Sequence, residues 1–91
     1  MKVLVLYQPR SEHRIVIEEL IHEYKRLYPG STLEVLDVDQ PDGIAMAKLY
    51  GAMRYPSLLV LSEDGSLIQN WEGDDALPRL DEINYYASSN L

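Results

Sequence analysis

Residues 50–73 read YGAMRYPSLLVLSEDGSLIQNWEG, and the fold turns on how this stretch is divided. Ser57–Leu61 contains four consecutive large aliphatic residues, which suits a strand covered on both faces. Glu63-Asp64-Gly65 follows, and Asp-Gly between two apolar runs is the strongest short-range signal for a hairpin. Residues 66–71 are more polar, which predicts a returning strand at the sheet edge. Upstream, Gly51 ends a helix and Tyr55-Pro56 leads into the apolar strand. Downstream, Gly73-Asp74-Asp75 opens a loop. Two antiparallel strands are therefore expected here, with a proline at their entrance and a glycine at their exit.

Working outward, Lys2–Tyr7 is another continuous Val/Leu run and predicts a central strand. Pro9 breaks it. Ser11 has the chemistry of an N-cap, and Glu12 places negative charge where a first helical turn favours it. The helix expected from there carries Val16, Ile17, Leu20, Ile21, Tyr24, Leu27 and Tyr28 as a broad buried stripe, and Pro29-Gly30 ends it. Residues 32–38 form the next strand. Residues 39–43 read as a loop, and residues 44–50 as a short helix. A last helix places Pro78 in its first turn and aligns Leu77, Leu80, Ile83 and Ala87. Residues 88–91 are expected to fray.

The order is β-α-β-α-β-β-α. The first β-α-β unit requires a parallel pair with a right-handed crossover, and the hairpin requires an antiparallel one. The expectation is an α/β domain spanning residues 1–91, with a four-stranded mixed sheet and helices on both faces.

The chain has 91 residues, a net charge of −7 and 46% apolar content. That composition belongs to one folded domain rather than to a disordered chain. An acidic balance disfavours phosphate backbones and anionic lipid surfaces, both of which reward Lys and Arg. No nucleic-acid or membrane partner is therefore expected. The apolar run at Val3–Leu6 is too short for a secretion signal, and a cytoplasmic protein is the default expectation. The chain contains no cysteine, which removes disulfides, thiol redox chemistry and thiolate metal ligands together.

With "LDVDQ" at residues 36–40 and the stretch quoted above, this order resembles the thioredoxin-like superfamily at the compact size of a glutaredoxin. The resemblance covers nearly the whole chain. It implies that Tyr55-Pro56 is a cis peptide bond whose flanking backbone faces a substrate groove, with Gly73 beside it. It also implies that Ser11-Glu12-His13-Arg14 stands where the family keeps Cys-x-x-Cys, and that Val5 lies near the position of a buried acidic residue. Neither end of the tetrad is cysteine, so dithiol exchange is excluded.

The function expected is a redox-inactive module that binds a protein or peptide segment through Ser11, His13, Arg14, Tyr55, Pro56 and Gly73, without a cofactor. Tyr7 and Trp71 would add aromatic surface if they were not spent on packing, the more ordinary use. A different class of function, a small-anion or glutathione-like ligand site of an enzyme or carrier, would use Arg10, His13 and Arg14 at the helix start. A third is a structural subunit with a vestigial groove. A Ser11-His13 catalytic pair is disfavoured because i,i+2 side chains on a helix do not face each other. Glu18 and His22 are i,i+4 neighbours, but no third residue suggests itself as a metal ligand, and no metal is expected.

Overall fold

The computed structural model describes residues 1–88. Its elements are β1 (Lys2–Tyr7), α1 (Arg14–Leu27), β2 (Thr32–Asp37), α2 (Pro41–Tyr50), β3 (Ser57–Leu61), β4 (Leu67–Glu72), a 3-10 turn (Asp74–Ala76) and α3 (Leu80–Ser88). The sheet order is β2-β1-β3-β4. β1 pairs parallel with β2 and antiparallel with β3, and β3 pairs antiparallel with β4. The sheet is thus mixed.

The two aliphatic runs occupy the two central strands, and alternation divides them between two cores. Val3, Val5, Leu58 and Val60 join Ile17 and Tyr24 of α1 and Ile83 of α3 on one face. Leu4, Leu6, Leu59 and Leu61 join Val38 and Ala47 on the α2 face. Each fully buried aliphatic side chain contributes about 1.5–3 kcal/mol relative to exposure, so two thin cores share the work in this small chain. Tyr24 is the largest of the fully buried side chains, and its hydroxyl meets Ser31 Oγ at 3.0 Å. β4 is an edge strand, as its polarity predicts. Gln69 Oε1 accepts the N–H of Asn70 at 2.9 Å, which satisfies one donor beside the sheet.

Several boundaries differ from the sequence reading. α1 starts at Arg14 behind His13, with no side-chain cap and no acidic residue in its first turn. Ser11 is not its N-cap. Its N–H and its hydroxyl both donate to the carbonyl of Gln8, at 3.0 and 2.7 Å. The buried stripe of α1 is narrower than expected, since Val16 and Leu27 are exposed. α2 begins earlier than expected, at Pro41 in the first helical turn. Proline is favoured there because its missing N–H is one that no helix would satisfy. Pro78 precedes α3. The N–H of Arg79 instead donates to Glu82 Oε1 at 3.0 Å, the back-reaching half of a capping box. Ser88 closes α3, and its hydroxyl donates to the Asn84 carbonyl. The rest of the expected fraying, residues 89–91, lies outside the described residues.

Candidate functional site

Three segments meet at one end of the sheet: the connection from β1 to α1, the residues that enter β3, and the exit of β4. In the first, the N–H of Gln8 donates to His13 Nε2 at 3.2 Å. The ring of Tyr7 lies 6.3 Å from that of His13. Burial lowers the pKa of His13, and the negative charge of Asp74 opposes the shift. Arg14 Nη1 pairs with Glu18 Oε1 at 3.1 Å, and the Tyr7 hydroxyl donates to Glu18 Oε2 at 3.2 Å. Burial, then this carboxylate, raises the Tyr7 pKa. Of the three cations expected to receive an anion, Arg14 is therefore occupied, and His13 is engaged as an acceptor. Arg10 forms no ion pair among the described residues.

In the second segment the Tyr55-Pro56 peptide bond is cis. The backbone around it is held from β4. Glu72 Oε1 accepts the N–H groups of Met53 and Arg54 at 2.8 and 3.1 Å. Those two donors are the main cause that lowers the Glu72 pKa, and burial opposes them. The Ser57 hydroxyl, fully buried, donates to the Arg54 carbonyl at 2.6 Å. The N–H of Gly73 donates to the Pro56 carbonyl at 2.9 Å. Among the described residues, no hydrogen bond engages the backbone N–H or C=O of Tyr55.

The third segment holds a contact that the sequence did not announce. Gly73 has φ 91° and ψ 153°, a region essentially confined to glycine. Arg54 reaches across it to Asp75, with Nη2 2.9 Å from Oδ1. A Cβ on Gly73 would lie 2.5 Å from Arg54 Nη2 and 2.8 Å from Asp75 Oδ1. The ion pair thus rests directly on the glycine.

Pro56 and Gly73 are therefore brought together, while Ser11 makes its contacts with Gln8. The Tyr55 side chain is spent on packing. Its ring packs with the α2-side cluster, and its hydroxyl donates to the Ala52 carbonyl at 3.3 Å. Trp71 is spent on packing, edge-to-face with Tyr86 at a ring-centroid distance of 5.8 Å. Tyr7 packs on the α1–α3 side. Val5 is fully buried among apolar side chains. Arg54, Glu72, Asp74 and Asp75 were not singled out by sequence, and the run "WEGDD" was the available signal. Among the described residues, no three His, Asp or Glu side chains are placed to hold a metal ion. No helix among them is long and apolar enough to cross a membrane.

No protein-family model matches the chain, and no curated protein matches it. Solved structures do. The chain is similar to oxidised thioredoxin from Plasmodium falciparum, at 19% identity over 94% of this chain and 80% of that one, with a TM-score of 0.73. It is similar to thioredoxin 1 from Thermosipho africanus TCF52B, at 15% identity over 97% and 91%, with a TM-score of 0.67. Thioredoxin O2 from Arabidopsis thaliana matches at 14% identity over 92% and 69%, with a TM-score of 0.68. The chain has the thioredoxin fold. It has no cysteine, and with no thiolate to attack a disulfide it does not carry out thiol–disulfide exchange.

Proposed function

We infer that this chain is a redox-inactive thioredoxin-fold module that binds an extended protein or peptide segment across Tyr55 and Pro56. The observation that carries this reading is the pattern of backbone bonding around Tyr55. Met53, Arg54, Pro56 and Gly73 are all hydrogen-bonded in place. Between them Tyr55 keeps a free donor and a free acceptor among the described residues. A fixed backbone with open valences is what strand addition needs, because the ordering cost has already been met. Pro56 and Gly73 would flank the bound segment, with His13 and Ser11 on the facing loop. The anion reading draws less support, since Arg14 is paired with Glu18 and His13 accepts from Gln8.

The test is an amide-shift titration of the isotope-labelled chain with a panel of unstructured pentapeptides. The expected result is perturbation concentrated at Tyr55, Ser57 and Gly73. Shifts absent there, or spread evenly over the surface, would reject the reading. Tyr55→Ala is a poor control because the ring supports the α2-side core, so the free backbone groups are best read directly.

A further inference from the structure

We propose that Arg54 is a built-in strap over this groove, and that the segment which displaces it carries a basic side chain. The proposal rests on the peptide-binding reading above and specifies its regulation and ligand chemistry. The guanidinium of Arg54 lies on Gly73, where a Cβ would come within 2.7 Å of Cζ. Gly73 adjoins Pro56 through its N–H, so a segment lying along Tyr55 and Pro56 meets the strap. Arg54 shows what the spot over Gly73 accepts: a flat cationic group whose partner is Asp75 at 2.9 Å.

The strap is weakly held. The side chains of Arg54 and Asp75 are 60% and 71% exposed, and exposed pairs of this kind contribute little. Arg54 can therefore turn into solvent at small cost, but Asp75 is then left without its cation beside Asp74. An incoming Lys or Arg restores the pair, whereas an acidic side chain meets two carboxylates. The chain's net charge of −7 attracts a basic segment from a distance in the same sense. The backbone of the strap does not need to move, because Glu72 holds the N–H groups of Met53 and Arg54 independently of Asp75. Opening is thus confined to one side chain.

The experiment titrates the 91-residue chain with three capped pentapeptides, Ser-Val-X-Val-Ser with X as Arg, Gln or Glu, and follows the amides of Tyr55 and Gly73. The Arg peptide should bind more tightly than the Gln peptide, and the Glu peptide least. Arg54→Gln removes the strap and leaves Asp75 free, and should tighten binding of the Arg peptide roughly two- to fivefold, the range of an exposed ion pair. Asp75→Asn should abolish the preference for Arg over Gln. Raising the salt concentration should shrink that preference in the unsubstituted chain. Both positions are exposed, so neither variant threatens the core. If all three peptides bind equally and Arg54→Gln changes nothing, the strap is wrong while the groove reading stands. A preference for the Glu peptide also overturns the strap. If no peptide moves either amide in any form, both readings fall.

Discussion

The backbone N–H of Gln8 donates to His13 Nε2 at 3.2 Å, so the first residue after β1 is tied to the residue before α1. Only a neutral imidazole can accept that bond. Burial holds the His13 pKa below its ordinary value. The unfolded chain therefore binds the proton more readily than the folded one. The stabilisation is present above the unfolded value of ~6.5 and is lost as pH falls through it toward the lower folded pKa. His13→Gln keeps an acceptor but does not titrate. The unfolding free energy from urea titrations should fall more for the unsubstituted chain than for His13→Gln between pH 7.5 and 5.5, by a margin of order 1 kcal/mol or less. Equal slopes would show that His13 is free to protonate in place.

Glu72 makes a second prediction about the same region. Its carboxylate binds two backbone N–H groups, and its pKa is lowered chiefly by them. The sign is that of a stabilised carboxylate: the contribution is present above the unfolded value of ~4.3 and fades as pH falls through the folded pKa. Glu72→Ala should cost roughly 1–3 kcal/mol, because two donors lose a charged acceptor. Glu72→Gln should cost less, since its amide oxygen still accepts, and should flatten stability below pH 5. Urea unfolding of the three forms, with amide exchange at Met53 and Arg54, checks both statements.

Two glycine-to-alanine changes should fail for different reasons. At Gly73 the backbone sits where only glycine is comfortable, and strain of about 1–3 kcal/mol is expected. Arg54→Ala in the same chain should relieve the contact with the guanidinium but leave the strain. At Gly43 a Cβ would meet the backbone carbonyl carbon of Asp37 at 2.6 Å, with the oxygen closer still. No side chain can move aside there, so Gly43→Ala should destabilise more than Gly73→Ala. Thermal melts of both, ranked against each other, decide the point.

Ser11→Ala should cost about 1 kcal/mol through loss of the hydroxyl bond to the Gln8 carbonyl. It should leave the helicity of α1 unchanged, because Ser11 does not cap that helix. A clear fall in helical circular dichroism would restore the N-cap reading.

Purified protein should not accelerate reduction of insulin disulfides by dithiothreitol, since there is no cysteine to form the mixed disulfide.

The strands were the most legible part of this chain. Val3–Leu6 and Leu58–Leu61 are apolar on every residue because both sheet faces are covered, and no helix of this length could bury such runs all round. The Asp64-Gly65 turn was legible because its backbone demands are local. The start of α1 was misread because Ser11-Glu12 has the composition of a cap, yet the chain first makes a turn closed on Gln8, and the serine hydroxyl is spent there. α2 was begun three residues late because Gly43 reads as a helix breaker. Its lack of a side chain is instead what lets α2 approach the end of β2. At the site, Pro56 and Gly73 could be placed because their backbones are special. The contacts of Arg54, Glu72 and Asp75 could not. Surface charges pair with whatever the finished sheet brings near, and Arg54 and Asp75 stand far apart in the chain.

The placement of β3 between β1 and β4 governs the order in which this chain can acquire structure. As the polypeptide emerges from the ribosome, β1, α1 and β2 are complete by residue 37. At that stage β1 has one neighbour, and the edge that later receives Ser57–Leu61 is open. Leu4 and Leu6 also wait for α2 and β3 to cover them. The first half of the chain therefore leaves apolar strand faces uncovered, and β3 is the strand that contributes to both cores at once, before Ile83 of α3 completes one of them. A nascent chain stalled before Leu61 should be the species that chaperones hold.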